Sequence, residues 1–184
     1  MGDVSDEMLF RRLLGGDGES LNPLLDRYGD ALTIYNNGYI HDLDMAEDLM
    51  IEAFSRMLAK EPRLREGGFK PYLYKTARNL ALRHLERSRR VFSIENLELD
   101  PEDEERVEET VFSTDISRIV RDCLEMLQAD SREALFLVYI EEMSYEQAAT
   151  VMGKTRKQVD NLVSRGKLAM KPLLAQKGVN GALK

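Results

Sequence analysis

Apolar positions recur every three or four residues along almost the whole chain. Leu9, Leu13 and Leu14 make a short stripe, and Leu21, Leu24, Leu25, Tyr28, Leu32 and Tyr35 a longer one. Met45, Leu49, Met50, Ala53, Phe54, Met57 and Leu58 give a third, and Leu73, Ala77, Leu80, Ala81 and Leu85 a fourth. Further on come Ile116, Ile119, Val120, Cys123, Leu124 and Leu127, then Leu135, Val138 and Tyr139. These spacings put each set on one helical face. Sustained strand-like alternation is absent, so no sheet is expected. Gly15-Gly16 is placed to end the first helix, Gly67-Gly68 sits in a loop, and Pro71 suits the first turn of the helix that follows. The pattern predicts an all-α chain of two small helical domains, residues 1–90 and 116–184, joined by a linker at 91–115, with a helix–turn–helix closing the second.

The sharpest local signal is residues 144–171. Ser144-Tyr145-Glu146-Gln147 has the form of a capping box, in which the hydroxyl takes a first-turn N–H and Gln147 reaches back. Ala148, Ala149, Val151 and Met152 supply small and apolar packing residues, and Gly153 suits a left-handed helix end. A second capping box, Thr155-Arg156-Lys157-Gln158, follows at once. Val159, Leu162, Val163 and Leu168 form the expected buried stripe of that second helix. Arg156, Lys157, Asn161, Ser164, Arg165 and Lys167 are left for an outer face. A helix carrying Arg, Lys and Asn fits the major groove and can read base edges there. On the residues alone, a helical hairpin with a solvated basic face is an equal reading.

Two segments of the first half also carry chemistry. Between residues 69 and 83, the aromatics Phe69, Tyr72 and Tyr74 alternate with Lys70, Lys75, Arg78, Asn79 and Arg83. Aromatic platforms beside cations are what unstacked single-stranded bases and their backbone require. The competing reading turns the rings into a core and the bases to water, and it holds for some of them. Leu73, Ala77 and Leu80 already supply a buried stripe. In Ala46–Phe54, the apolar Leu49, Ala53 and Phe54 are rimmed by Glu47, Asp48 and Glu52, carboxylates able to meet a basic partner. The same acids also suit a helix N-terminus. They lack metal-loop spacing.

Charge changes the picture once it is divided. The chain has 184 residues, 43% apolar and 32% charged, with a net charge of −7, which seen whole argues against a nucleic-acid binder. Residues 91–117, however, hold 10 acids and 1 base, more than the entire excess. The windows 69–90 and 154–177 each carry seven bases against one acid. The chain is acidic in its connector and basic where the two candidate nucleic-acid segments lie. An acidic run such as Pro101-Glu102-Asp103-Glu104-Glu105 either spaces the domains or keeps DNA phosphate away from them.

Other chemistries find little support. The only histidines are His41 and His84, and neither is near Cys123, which lies on an apolar stripe and reads as core. No Gly-rich loop leads to a Lys-Ser or Lys-Thr pair. No catalytic residue, metal or cofactor is expected. No apolar stretch approaches a membrane span, and Met1 to Phe10 lacks a basic start followed by an apolar core, so a cytoplasmic location is expected.

Ser144–Ala149, Met152-Gly153, Gln158-Val159 and Ser164-Arg165 together resemble the promoter-reading helix–turn–helix of bacterial RNA polymerase sigma factors, in particular the two-domain extracytoplasmic-function group. Gly16-Asp17 with Leu24, Leu25, Tyr28 and Leu32, Ala46–Phe54, and Phe69–Ala81 resemble that family's first domain in the same order. The resemblance covers roughly residues 8–90 and 116–174. It implies a non-enzymatic subunit that directs promoter-specific initiation. Glu47, Asp48, Leu49, Glu52, Ala53 and Phe54 would meet the clamp coiled coil of the β′ subunit of core polymerase. Phe69, Lys70, Tyr72, Tyr74, Lys75, Arg78, Asn79 and Arg83, with the loop at about 61–68, would capture single-stranded bases of the minus-10 element. Arg156, Lys157, Asn161, Ser164, Arg165 and Lys167 would read the duplex minus-35 element, while the second domain docks on the β flap. Family members are often held by anti-sigma proteins, and no motif here requires one. Neither membrane insertion nor a small-molecule substrate is implied. The chain departs from the family pattern at Asp160 and Leu162, where bases are common, at Tyr72 in place of Trp, at Ile51 in place of Gln and at Gln128 in place of Pro. The alternatives are a stand-alone helix–turn–helix regulator, which would bind palindromic half-sites as a dimer, and a degenerate relative acting only through protein contacts, which Asp160 and Leu162 would support.

Overall fold

In the computed structural model, α-helices follow one another along the chain, and four of them start on a Ser, Thr or Asp side-chain cap. Residues 4–95 and 115–178 are described, with the side chains of 91–95 and 115–117 left aside. Helix α1 spans Asp6–Leu14, capped by Ser5 and closed at Gly15, with Gly16 at φ 96°. A 3-10 turn, Gly18–Ser20, leads into α2, Leu21–Ile40. Asp42 starts α3, Leu43–Lys60, by accepting from the Met45 N–H at 3.0 Å. Helices α2 and α3 both stop on non-glycine residues in the left-handed region, His41 and Glu61. Helix α4 runs from Phe69 to Glu95. The second half contains α5, Asp115–Glu125, and α6, Ala129–Leu135, which widens into a π-type turn at Phe136–Ile140. It ends with α7, Tyr145–Met152, and α8, Arg156–Gln176. Among the described residues there is no strand, and the architecture is all-α.

The chain divides into two compact units, Met1–Val107 and Glu108–Lys184. Helix α4 continues to Glu95, past the expected domain end at 90, because nothing in Val91–Glu95 breaks a helix. Most of the expected acidic linker at 91–115, including Glu102–Glu105, lies outside the described residues.

Helices α2, α3 and α4 pack together in the first unit, and α1 lies against α2 and α4. Their core is aromatic. Phe69 lies 5.5 Å from Phe10 and 5.6 Å from Tyr28, and Tyr74 lies 5.1 Å from Tyr35, all between ring centroids. Asn36 ties α2 to α3 by donating to the Ala46 carbonyl at 3.1 Å. Two acids fix α1. Asp6 accepts from Arg27 at 2.5 Å and from the Tyr28 hydroxyl. Glu7 accepts the backbone N–H of Phe69 at 3.0 Å. A carboxylate from the first helix thus caps the N-terminus of α4, where an orphan donor and the positive end of the helix dipole favour it.

Leu124, Leu127, Leu135, Leu137, Ala148, Val151, Met152, Val159, Val163 and Met170 form the core of the second unit, joined by Cys123 as expected. Burial pushes the Cys123 thiol up, which keeps it neutral and unreactive. Gly166 lets α8 lie close against α6. A Cβ there would stand 2.8 Å from Leu135 Cδ1 and 3.4 Å from the Ser131 carbonyl oxygen.

Candidate nucleic-acid and polymerase interfaces

The helix–turn–helix is built as its sequence predicts. Ser144 accepts the Gln147 N–H at 3.1 Å while Gln147 accepts the Ser144 N–H at 2.9 Å. Thr155 and Gln158 repeat the arrangement at 3.2 and 2.8 Å. Between them, Gly153 takes φ 63°, and its N–H and that of Lys154 both reach the Ala149 carbonyl, so the turn is three residues long. With α7 and α8 each capped locally, the angle between them follows from the packing of Ala148, Ala149, Val151 and Met152 near Val159, Leu162 and Val163, all buried.

Helix α8 presents Lys157, Asn161, Ser164 and Arg165 as exposed, and Lys167 as half-buried. Lys157, Asn161, Ser164 and Leu168 follow one another at helical spacing and share a face. Leu168 corrects the expected buried stripe, for it is 74% exposed and lies on this outer face. The inward line instead passes through Gly166 and Met170. Leu162 is buried at 7% exposure, so its apolar side chain packs the core and takes no place from an outward base. Arg156 is exposed but turned toward α7. Its Nε lies 2.7 Å from Glu146, and its guanidinium sits over the Tyr145 ring at 5.9 Å. Lys167 Nζ stands 4.7 Å above the Tyr139 ring. Burial, and then the fields of Tyr139 and Asp160, raise the Tyr145 phenol, which therefore stays neutral at any physiological pH. Arg165 Nε reaches back to the Asn161 carbonyl at 3.4 Å.

Helix α4 sorts its aromatics differently from expectation. Phe69 and Tyr74 are both 0% exposed. A ring with no open face cannot stack on a base, so these two leave the set of platforms and join the core. The α2 and α1 surfaces opposite them are themselves aromatic, and rings fill that space where a leucine would leave a gap. Tyr72 is half-buried, and Lys75, Asn79 and Arg83 are exposed. These four recur at steps of three and four residues, which aligns them on the helix face opposite the core. Lys70 is half-buried, its ammonium 5.8 Å above the Tyr28 ring and 5.9 Å from that of Tyr74. Arg78 is half-buried as well. The loop at 61–68 enters α4 tightly. Gly67 takes φ 70°, and a Cβ on Gly68 would stand 2.8 Å from the Arg65 carbonyl oxygen.

Helix α3 also divides. Leu49, Ala53 and Phe54 are buried, so these three expected contacts hold the helix to its own domain. Glu47 and Asp48 are exposed and Glu52 half-buried, with Ile51 among them 53% exposed. Glu52 pairs with Arg56 one turn on, at 2.7 Å. The outer face is thus an apolar spot ringed by carboxylates. Among the described residues, no three His, Cys, Asp or Glu side chains gather where they could hold a metal, and no helix is long and apolar enough to cross a membrane.

The second unit, with its two abutting capped helices, is a helix–turn–helix DNA-binding module in form. Comparison with known families carries this further. Residues 24–91 match the model for sigma-70 region 2, and residues 117–170 match that for sigma-70 region 4. The two matches together span about two-thirds of the chain, which belongs to the sigma-70 family of RNA polymerase sigma factors, in its extracytoplasmic-function group. It is 28% identical to the RNA polymerase sigma-H factor of Pseudomonas aeruginosa, over 93% of this chain and 96% of that one. It is 24% identical to the extracytoplasmic-function sigma factor SigM of Bacillus subtilis, over 76% and 85%. In fold it is similar to the sigma factor RpoE of Bartonella quintana, solved in complex with the anti-sigma factor NepR, with a TM-score of 0.67 and 24% identity over 85% of this chain and 98% of that one. The chain is an RNA polymerase sigma factor for promoter recognition.

Proposed function

We propose a division of labour among three helix faces. The outer face of α3, with Glu47, Asp48, Ile51 and Glu52, docks on the β′ clamp coiled coil of core polymerase. Its carboxylates favour encounter and register, and Ile51 supplies apolar contact. The face of α4 that carries Tyr72, Lys75, Asn79 and Arg83, with Arg78 at its edge, takes the opened minus-10 strand. Tyr72 is the stacking platform, and the cations follow the backbone. In the second unit, which meets the β flap, the N-terminal half of α8 enters the major groove of the minus-35 element with Lys157, Asn161, Ser164 and Arg165, while Arg156 and Lys167 flank it. The polymerase performs the chemistry, and the chain supplies recognition and opening in the cytoplasm. The anti-sigma partner in the RpoE complex supports a protein inhibitor of the same kind for this chain.

The alignment of Tyr72, Lys75, Asn79 and Arg83 on the open side of α4 carries this reading, because a stand-alone duplex-binding regulator has no use for such a face. The test is promoter opening by holoenzyme reconstituted from core polymerase and the Tyr72→Ala/Lys75→Ala double variant. Opening should fall while assembly with core is retained. Equal opening by variant and wild type would remove the minus-10 assignment.

A further inference from the structure

Asp160 is the one acid in the basic window of α8, and phosphate recognition leaves it unexplained. It is exposed, next to Asn161, one turn after Arg156 and one turn before Ser164. Arg156 would be its natural partner, but that guanidinium is held at 2.7 Å by Glu146 and lies over Tyr145. Among the described residues no hydrogen bond or ion pair engages the Asp160 carboxylate, which acts within the unit through its field on Tyr145. It sits at the fifth position of α8, within the N-terminal part of a recognition helix that reaches base edges.

An ionised carboxylate only accepts hydrogen bonds. Phosphate oxygens also only accept, so this group gains nothing from the backbone. The major groove offers it two donors, the N4 amine of cytosine and the N6 amine of adenine. The adenine amine stands beside N7, an acceptor that would face the second carboxylate oxygen and repel it. The cytosine amine stands beside a C–H edge and raises no such conflict. We propose that Asp160 is a specificity residue that accepts a hydrogen bond from the N4 amine of a cytosine in the minus-35 element. Guanine and thymine leave the carboxylate desolvated and unmatched, and adenine sets N7 against it, so cytosine is preferred. The assignment rests on α8 being the minus-35 helix.

Holoenzyme assembled from core polymerase and the full chain is given promoters with a randomised minus-35 region, and the transcripts are sequenced. The wild-type chain should enrich cytosine at one position by about fivefold, the lower end of the range for a direct base contact. Asp160→Ala should make that position degenerate and leave the other enriched positions in place, which also reports that the variant is folded. Asp160→Asn should move the preference to adenine, whose N6 and N7 an amide matches. The same enriched sequence from all three proteins overturns the role of Asp160 while leaving the minus-35 reading intact. No enrichment by the wild-type chain, with transcription maintained, overturns that reading and the assignment with it.

Discussion

Helices α4 and α8 both offer a polar face to nucleic acid in the proposed function, but they are anchored in opposite ways. Helix α8 is self-sufficient at its start, where Thr155 and Gln158 cap it from within four residues of sequence. Its inward stripe is aliphatic, and its outward stripe is polar apart from Leu168. Helix α4 takes its N-terminal cap from Glu7, 62 residues earlier, and holds to its unit through rings. A reader of closed duplex needs a rigid helix with an internally fixed start. A helix that seizes bases needs a ring with an open face, and of the three rings Phe69, Tyr72 and Tyr74 on α4 only the half-buried Tyr72 keeps one. Aromatic content therefore overstates the number of platforms on α4.

This contrast is open to direct attack. The largest effect should come from Phe69→Ala, which should cost about 3–5 kcal/mol of stability in urea unfolding as a buried ring is lost. Tyr72→Ala, at a half-buried position, should cost only about 1 kcal/mol and act on promoter opening instead. Similar costs for the two would erase the division between core ring and platform. In α8 the corresponding anchor is the close approach at Gly166. Gly166→Val should cost about 1–3 kcal/mol by overpacking against Leu135, again read from urea unfolding.

Caps come next in size. Thr155→Ala and Glu7→Ala should each cost about 1 kcal/mol. They should differ in reach, because hydrogen exchange should quicken only at the start of α8 in the first, but at both α1 and the start of α4 in the second. Glu7→Gln keeps an acceptor oxygen and should restore most of the protection at α4. The smallest effect is alkaline. Burial, with the hydrogen bond to Asp6, raises the Tyr28 phenol well above its ordinary value. A raised folded pKa contributes stability that is complete below the unfolded pKa of about 10 and is lost as pH climbs from there toward the folded value. Stability of the first unit should therefore decline above that pH, and Tyr28→Phe should flatten the decline. A matching slope in wild type and variant would assign it to other groups.

What the sequence made legible follows from how local the cause is. Both capping boxes, the Gly153 turn, Cys123 in the core and the all-helical class rest on neighbours within a turn, and all are present in the structure. Leu168 follows Val163 by five residues, a step that turns it away from Val159, Leu162 and Val163 and onto the face of Lys157, Asn161 and Ser164, so the period itself places it outside the buried stripe. Phe69 and Tyr74 look like platforms until Phe10, Tyr28 and Tyr35 are known to face them. The spacing of Leu49, Ala53 and Phe54 itself marks the inner face of α3, where all three are buried. Nothing near Glu7 in sequence announces its place at the head of α4. Lys157, Asn161, Ser164, Lys75, Asn79 and Arg83 fall between the apolar stripes in sequence and are exposed in the structure.

The central claim is that the open side of α4, and not its aromatic content as a whole, captures the melted strand. Permanganate reactivity of minus-10 thymines tests it most directly, in holoenzyme made with wild-type chain, Tyr72→Ala or Tyr74→Leu, the last removing a ring while keeping apolar bulk in the core. Wild type and Tyr74→Leu should give the same reactive thymines, and Tyr72→Ala should lose most of the signal while still entering holoenzyme. Full reactivity with Tyr72→Ala, or loss of it with Tyr74→Leu in a chain that is folded and bound to core, would contradict the account.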